Sequence, residues 1–322
     1  MGKLCGICGS QGNHIQYNVR EMMFGSRNQF PYFLCSDCGC LQLEEAPKNL
    51  SSHYPSNYYS FSENTQVKKG LSRWLYGKWI LYLVTHDSFI GKIMAAMKRK
   101  KVALYEFYRA AGMNPKQKIL DIGSGNGSAL FPLKEAGFDH LIGSDEFING
   151  DILFDNNLLI RKANLFDITE TNWDLIMFNH SFEHLPQQKE HLLQVHKLLK
   201  QGGTCLIRIP TVSSYAWEHY QENWVQLDSP RHFFLHSHKS ISLLANQTGF
   251  EVKKIIHESN SFQFTGSEQY LLNIPIFGDP ASYFEGNTNL FTSEQLKDFE
   301  KRTEQLNQQN RADSIGIVLT KY

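Results

Sequence analysis

Excess charge of either sign is absent from this sequence. Its 322 residues include 32 Lys and Arg and 32 Asp and Glu, so the formal net charge is zero. Proteins that track nucleic acid usually carry a basic excess, because contacts to phosphate supply most of their affinity. The balanced charge therefore argues against a nucleic-acid partner and leaves room only for a local basic patch.

Leader-like and membrane-spanning patterns are missing as well. The sequence opens with Met-Gly-Lys-Leu-Cys, which lacks the apolar stretch of a secretory signal. An apolar stretch between residues 71 and 97 is interrupted by Lys78, His86 and Asp87, so we do not expect it to span a bilayer. These observations predict a cytoplasmic protein.

Cysteine is almost confined to the first 40 residues, which hold five of the six. Four of them form two Cys-x-x-Cys pairs separated by 26 residues: Cys5, Cys8, Cys35 and Cys38. In a cytoplasmic chain this spacing is typical of a tetrahedral Zn²⁺ site, and it favours zinc over metal-free thiols or disulfides. Cys40 is a spare thiol that could compete as a ligand.

Residues 1–45 contain too few apolar side chains for a core of their own. We therefore predict a zinc-ribbon-like domain over 1–45, in which a structural zinc ion supplies much of the folding free energy.

Residues 46–115 are predicted to form a linker or lid. An aromatic-rich loop at 46–65 either covers an active site or packs the ribbon onto the main domain. A helical region over 70–110 follows, and its apolar face ends in the basic cluster Lys98–Lys101. Such a helix either covers a substrate cleft or makes a peripheral contact with a membrane through residues 71–101.

From residue 116 to 322, strand and helix patterns alternate, which predicts an α/β domain built on a parallel sheet. The predicted strands are 117–122, 140–144, 159–163, 173–179, 204–210, 251–257 and 313–321. The predicted helices are 126–137, 188–200, 238–248 and 293–309. The last helix belongs to an insertion at 258–312, which is a candidate lid or dimerisation segment.

The run from Lys118 to Gly127, Lys-Ile-Leu-Asp-Ile-Gly-Ser-Gly-Asn-Gly, is the most informative stretch. Its first four residues are typical of a short buried strand, and its glycines make a tight turn before a helical pattern. Glycine lets the backbone approach a ligand closely, and the N-terminus of a helix offers free N–H groups. A strand, a glycine turn and a helix form the first unit of a nucleotide-binding sheet.

A second acid, Asp145, follows the next predicted strand, where a ribose hydroxyl pair would be held. NAD and S-adenosylmethionine (SAM) are the candidate ligands. The dinucleotide pattern Gly-x-Gly-x-x-Gly requires glycine at position 128, where this chain has Ser128. A pyrophosphate would also be repelled by Asp121, two residues before the first glycine. The turn therefore favours SAM.

Five segments together resemble class I SAM-dependent methyltransferases of the small-molecule type. They are Asp121–Gly127, Asp145, Asp174–His184, Leu198–Gly203 and Asp228–His232. The resemblance covers about residues 115–257 and implies a Rossmann-like, seven-stranded methyltransferase sheet with SAM as cofactor. The Glu-His pair at 183–184 is similar to the one after strand four in quinone-type O-methyltransferases. The cysteine pairs resemble those of bacterial methyltransferases with an N-terminal zinc motif, some of which act on nucleotide-activated deoxysugars.

The resemblance also implies which residues hold SAM. The methionine end would be lined by the first acid and the glycine turn: Asp121, Gly123, Ser124, Gly125, Asn126 and Gly127. Asp145 would hold the ribose, and Asn164 with Leu165 would meet the adenine. Asn179 and His180 would close over the methionine moiety.

Transfer of a methyl group from a sulfonium needs a base only when the acceptor is protonated. His184 and His232 are candidate catalytic bases, because imidazole titrates near neutrality. Arg231 could pair with an anionic acceptor, and Trp224 could form a wall of its pocket. For all four, an ordinary structural role is the alternative.

We therefore predict SAM-dependent methyl transfer to oxygen or carbon of a small or carrier-linked metabolite, preferably a sugar or glycan precursor. Strand four ends in Asn-His-Ser-Phe, which differs from the Asn/Asp-Pro-Pro-aromatic motif favoured for amino methylation of nucleobases. Two alternatives stay open. One is an rRNA methyltransferase with an N-terminal zinc finger, and the other is a non-catalytic scaffold that binds SAM and zinc.

Overall fold

The computed structural model describes residues 3–54, 70–98 and 102–322. The strands within them are β1 (Ile15–Arg20), β2 (Gln29–Leu34), β3 (Leu41–Leu43), β4 (Ile119–Ile122), β5 (Leu141–Ser144), β6 (Ile152–Leu153), β7 (Leu159–Arg161), β8 (Trp173–Asn179), β9 (Leu199–Pro210), β10 (Phe234–Leu235), β11 (Phe250–His257) and β12 (Ser314–Lys321). The α-helices are α1 (Gly70–Thr85), α2 (Phe89–Lys98), α3 (Ala103–Ala110), α4 (Phe131–Glu135), α5 (Gln188–Leu198), α6 (Tyr215–Tyr220), α7 (His238–Gln247), α8 (Phe262–Leu271) and α9 (Ser293–Gln308).

The large sheet has the strand order β11-β12-β9-β8-β4-β5-β7-β6. Its centre, from β9 to β7, is parallel. All four residues of β4 are buried, as expected for a central strand that is covered on both faces. All seven predicted strands are present, which confirms the Rossmann-like α/β fold class.

The prediction of a parallel sheet is wrong at one strand. β12 runs antiparallel to both of its neighbours, β9 and β11. Six of its eight residues are buried, and a continuous apolar run indicates a covered strand without revealing its direction. The sheet also has an eighth strand, β6, whose two residues are too few to form a sequence pattern.

Alternate side chains of the central strands contribute to two separate cores. Leu120 and Ile176 belong to a core that extends through α5 and α7 to the N-terminal cysteines. Ile119 and Leu175, next to them along the strands, belong to the core that includes Trp79 and Ile80 of α1. The cysteine-rich segment and α1 therefore cover opposite faces of the sheet.

The N-terminal sheet consists of β1, β2 and β3, all antiparallel, and of β10 as its fourth strand. In this pairing Phe234 lies opposite Gln42, and Leu235 lies opposite Leu41. Backbone hydrogen bonds thus join the cysteine-rich segment to the downstream part of the chain. The domain boundaries at residues 45 and 115 stay predictions.

The helical region expected over 70–110 is divided into three helices. His86 has a positive φ of 61° just after α1, and the hydroxyl of Ser88 accepts a hydrogen bond from Gly91 N at the start of α2. The axes of α1 and α2 are bent by 90°. Among the described residues no single helix is both long and apolar enough to cross a membrane; α1 and α2 satisfy that test only as a bent pair. Of the predicted aromatic loop and basic cluster, residues 55–65 and 99–101 lie outside the described part.

The insertion at 258–312 contributes to the core. Besides the expected α9 it contains α8, which was not predicted because it is buried on most sides and shows little periodicity. A Cβ on Gly266 of α8 would lie 2.5 Å from Val225 Cγ2, so the helix packs closely on the segment before Asp228. A lid or dimerisation role for this insertion stays a prediction.

Candidate active site and metal centre

The glycine turn lies at the carboxyl edge of β4, next to the ends of β5 and β8. Gly123, Gly125 and Gly127 have positive φ angles of 71°, 54° and 79°. A Cβ on Gly123 would lie 2.4 Å from Ser181 Cβ, so a side chain at this position would clash. Ser124 Oγ is buried and has no hydrogen-bond partner among the described residues, which leaves a polar atom for a ligand.

Asp121 is buried at the end of β4, with 1% of its surface exposed. Asn179 Nδ2 donates a hydrogen bond to Asp121 Oδ1 at 3.0 Å, and Arg208 Nη1 donates to Asn179 Oδ1 at 3.2 Å. Burial raises the pKa of Asp121 to about 7, although the bond from Asn179 and the charge of Arg208 act in the opposite direction. A cationic ligand would favour the charged carboxylate here.

Asp145, at the end of β5, holds the glycine turn in place. Gly125 N donates to its Oδ2, and Phe147 N donates to its Oδ1, both at 2.9 Å. A carboxylate oxygen has two lone pairs, so each oxygen retains one for a further donor such as a ribose hydroxyl. Within the turn itself, Asn126 Oδ1 accepts a hydrogen bond from Ser128 N.

The predicted adenine contacts follow β7. Asn164 caps a short 3-10 turn, because its Oδ1 accepts hydrogen bonds from Phe166 N and Asp167 N. Leu165 is buried, whereas the ring of Phe166 is half exposed. The side chain of Asn164 is therefore already engaged in a local cap.

A chain of hydrogen bonds leads from Arg208 into the segment after β8. Arg208 Nη2 lies 3.4 Å from His180 Nε2, and His180 Nδ1 donates to Glu183 Oε1 at 3.3 Å. Burial works to raise the pKa of Glu183, but the bond from His180 and the neighbouring imidazoles outweigh it and hold that pKa at about 2. Glu183 Oε2 is buried without a partner among the described residues.

The two candidate bases lie side by side. The rings of His184 and His232 are 4.7 Å apart between centroids, in a T-shaped arrangement. His232 Nδ1 donates to the carbonyl of Gln226 at 2.8 Å, and His184 Nδ1 donates to the carbonyl of Arg231 at 3.0 Å. In both neutral imidazoles Nε2 is therefore the basic atom. Burial and the charge of His232 lower the pKa of His184.

Two carboxylates face the basic atom of His232. Its Nε2 lies 3.7 Å from Asp228 Oδ2 and 4.0 Å from Glu183 Oε1. Both carboxylates are buried with the ring. The ligand atoms of Glu183, His184 and His232 also lie within 4.8 Å of one another, a spacing that suits a metal ion.

Arg231, which we expected to pair with an anionic acceptor, lies in a different environment in the structure. Its guanidinium is fully buried, and it donates to Asp228 Oδ1 and, at 2.9 Å, to Glu21 Oε1. A third donor reaches the carbonyl of His53 at 2.9 Å. Because its charge is neutralised within the protein, Arg231 is not placed to receive an anionic acceptor.

Trp224 is likewise a core residue in this structure. It is fully buried, its ring lies 6.1 Å from that of Trp217, and its Nε1 donates to Asp313 Oδ2 at 2.8 Å. The ring therefore does not form an open wall of a pocket.

The four predicted metal ligands come together. Sγ of Cys5 lies 3.6 Å from that of Cys38, Sγ of Cys8 lies 3.5 Å from that of Cys35, and all four sulfurs are within 4.8 Å of one another. A tetrahedral zinc ion with bonds of about 2.3 Å requires sulfurs about 3.8 Å apart, so the cluster fits it. Cys40 lies outside this cluster, with Sγ 3.8 Å from the carbonyl of Leu41.

Polar groups around the cluster suit thiolates. The backbone N–H groups of Ile7 and Cys8 point to Cys5 Sγ at 3.4 and 3.5 Å, and Gln42 Nε2 donates to the same sulfur at 2.9 Å. Gly9 and Gly39, each directly after a Cys-x-x-Cys pair, have positive φ angles. Both pairs thus form the tight turns that a four-cysteine zinc site requires.

One residue of the site, Arg208, is not singled out from the sequence. It links Asn179 to His180, whereas Glu183 and Asp228, which pairs with Arg231, belong to segments named above for their resemblance to methyltransferases. The position of Arg208 at the end of a predicted central strand was an available signal, because ligands bind at that edge.

The fold and the glycine turn define a Rossmann-like enzyme domain of the SAM-dependent type. A sequence profile described as a methyltransferase domain matches residues 95–255, half of the chain, and the chain belongs to this family. It is a SAM-dependent methyltransferase of class I. No curated protein matches the sequence.

Several solved structures are partly similar to this chain. A SAM-dependent methyltransferase from Archaeoglobus fulgidus is 19% identical, with 71% of this chain and 98% of that one covered and a TM-score of 0.40. One from Mesorhizobium loti is 14% identical, with 68% and 98% covered and a TM-score of 0.43. Mycolic acid cyclopropane synthase, in complex with S-adenosylhomocysteine, is 15% identical, with 80% and 100% covered and a TM-score of 0.44. These likenesses are loose, and the strand order of the large sheet defines the fold.

Proposed function

We propose that this enzyme methylates an oxygen or carbon atom of a small or carrier-linked metabolite, with a sugar or glycan precursor as the preferred class. The observation that carries the proposal is the environment of His232, whose basic Nε2 lies between two buried carboxylates beside the carboxyl edge of the sheet. Such a group is useful when the acceptor must lose a proton, as hydroxyl and acidic C–H acceptors do.

We assign the SAM site to the residues around the glycine turn. The buried carboxylate of Asp121 suits the ammonium group of the methionine moiety, with Asn179 and His180 beside it. The free lone pairs of Asp145 suit the ribose hydroxyls, and the segment at Asn164 and Leu165 suits the adenine. When bound, SAM supplies an activated methyl group on a sulfonium.

The protein then has to orient the acceptor and receive its proton. The acceptor atom forms a bond to the methyl carbon while the carbon–sulfur bond breaks, and the electron pair of that bond stays on sulfur. In our proposal the acceptor proton moves to Nε2 of His232, or to Nε2 of the adjacent His184. Asp228 and Glu183 stabilise the imidazolium, and the carbonyl of Gln226 fixes the ring of His232.

The preference for a sugar acceptor rests on the resemblance of the cysteine pairs to those of bacterial methyltransferases that act on activated sugars. Zero net charge supports a small acceptor over a nucleic acid. A cytoplasmic location stays a prediction.

The test has two stages. Calorimetric titration of zinc-loaded protein with SAM and S-adenosylhomocysteine should show binding that Asp145→Ala weakens. Transfer of labelled methyl groups is then measured on nucleotide sugars and lipid-linked sugars, with RNA as a comparison acceptor. Methyl transfer to a sugar that persists in EDTA, while the protein keeps its structural zinc, would support an imidazole base over a metal ion bound by Glu183, His184 and His232. Transfer to RNA alone, or binding without turnover on any of these acceptors, would contradict the proposal.

A further inference from the structure

The zero net charge of this chain conceals an uneven distribution. Residues 68–101 contain nine Lys and Arg and one acidic residue, Asp87. The remaining 288 residues contain 23 Lys and Arg and 31 Asp and Glu. One short segment is thus strongly basic, while the rest of the molecule is acidic.

The described part of this segment, α1 and α2, has an apolar face that is largely exposed among the residues the structure describes. In α2 only Gly91 is buried, although eight of its ten residues are Phe, Ile, Met, Ala or Gly. Phe89, Ile93 and Met97 are 79%, 48% and 78% exposed, and their spacing of four residues places them on one side of the helix. In α1, Leu71 and Trp74 are also exposed.

The two helices are attached to the molecule through α1. A Cβ on Gly77 would lie 2.3 Å from the carbonyl oxygen of Glu135, and Arg73 forms an ion pair with the same residue. α2 rests on α1, because a Cβ on Gly91 would lie 2.1 Å from the carbonyl oxygen of Lys78. The exposed side of α2 therefore faces away from this attachment.

We propose that α1 and α2 dock the enzyme on the surface of an anionic membrane. Exposed Phe, Ile, Met and Trp side chains would enter the interface, and Lys92 and Lys98 would meet lipid phosphates. Charge disfavours a symmetric contact of this face with the same face of a second copy, because the two basic faces would repel each other. The inference is independent of the acceptor proposed above.

The experiment measures co-sedimentation of the zinc-loaded full chain with vesicles, in the absence of SAM. Vesicles of phosphatidylcholine and phosphatidylglycerol should bind the protein at low salt, and vesicles of pure phosphatidylcholine should bind it weakly. The double variant Lys92→Glu/Lys98→Glu should lower the partition coefficient by roughly tenfold or more. Lys297→Glu/Lys301→Glu, which reverses two exposed charges on α9, is the matched control and should bind like the parent protein.

A second pair of variants tests the apolar part. Phe89→Ser/Met97→Ser should weaken binding, whereas Leu153→Ser, at a 70% exposed site on β6, should not. The proposal would be overturned if the protein did not bind anionic vesicles, or if the control variants lost as much binding as the test variants. It would also be overturned if the protein stayed on the vesicles after a wash with alkaline carbonate, because a surface contact should then be released. SAM affinity, measured on the same variants, should stay unchanged, so failure here leaves the proposed function intact.

Discussion

Asp121 is a buried carboxyl group for which we propose a role in SAM binding. Its pKa is raised to about 7, so the protonated form is favoured in the folded state. Any stability gained from this shift is fully present at low pH and is lost as the pH rises through about 7. We expect Asp121→Asn, which resembles the protonated form, to raise the Tm by a few degrees at pH 8. The same change should weaken SAM binding at least about tenfold, because the ammonium group loses a carboxylate partner.

Differential scanning calorimetry and SAM titration on the same sample check this expectation. Asp139→Asn removes an exposed carboxylate and should alter neither quantity. If Asp121→Asn lowered the Tm at pH 8, the carboxylate would be a stabilising ion rather than a strained one.

His232 is expected to affect turnover without affecting the cofactor. We predict that His232→Gln lowers kcat by about 10²- to 10⁴-fold, the usual contribution of a positioned base. SAM affinity should stay within about twofold, because none of the proposed SAM residues hydrogen-bonds to this ring. His140→Gln, at an exposed position, is the control. A parallel loss of SAM binding would show that the ring supports the fold of the site instead.

The sequence predicts which residues of one contiguous motif lie together, but it does not predict contacts with distant partners. Asp121 and the glycines belong to one contiguous motif, so their proximity follows from the chain itself. Arg231 pairs with Glu21, which lies 210 residues earlier, and no pattern connects the two. Its position beside His232 suggested an acceptor contact, whereas its buried partners give it a structural role.

At the scale of elements, the glycine turn is the most constrained feature. Gly123→Ala would combine a positive φ with a clash of 2.4 Å against Ser181 Cβ. We expect this variant to lose about 1–3 kcal/mol of stability and most of its SAM affinity. Gly150→Ala is the matched control, because a Cβ there meets nothing within 4 Å. Urea unfolding and SAM titration measure the stability and the SAM affinity of both variants. If the two variants had the same stability and the same affinity, the turn at Gly123 would not be as tight as we infer.

Strands were easier to predict than helices in this chain. A central parallel strand is a continuous apolar run such as β8, and that signal is strong even in one sequence. The helical region from 70 to 110 lacked an obvious stop, yet it divides at His86, whose positive φ ends α1. α8 was missed because a helix buried on most sides loses the periodicity that identifies amphipathic helices.

On the scale of the whole molecule, the cysteine-rich segment supports the proposed catalytic residues. Tyr32 Oη on β2 donates to the carbonyl of His232 at 2.9 Å. Leu43 N donates to the carbonyl of Phe233, whose own N–H donates to the carbonyl of Glu183. The backbone that carries His232 is thus held between the N-terminal sheet and the segment after β8.

This arrangement predicts that zinc affects turnover more than cofactor binding. Cys35→Ser should remove zinc, lower the Tm and reduce kcat by about ten- to a hundredfold, because the base loses its backbone support. SAM affinity should change little, since β4 and β5 hold the glycine turn. Cys40→Ala, which changes a buried thiol outside the cluster, should keep one zinc per chain and normal turnover.

A more selective variant separates support of His232 from general unfolding. Tyr32→Phe leaves the four cysteines intact and removes the hydrogen bond to the His232 carbonyl. It should retain zinc, measured by atomic absorption, yet lose part of kcat at unchanged SAM affinity. If Tyr32→Phe and the parent protein turned over equally while Cys35→Ser failed, zinc would contribute to stability alone. If both variants lost turnover but kept SAM binding, the metal centre would hold the backbone of the proposed proton-accepting residues in place from a distance. That role would explain why a zinc site is joined to this fold.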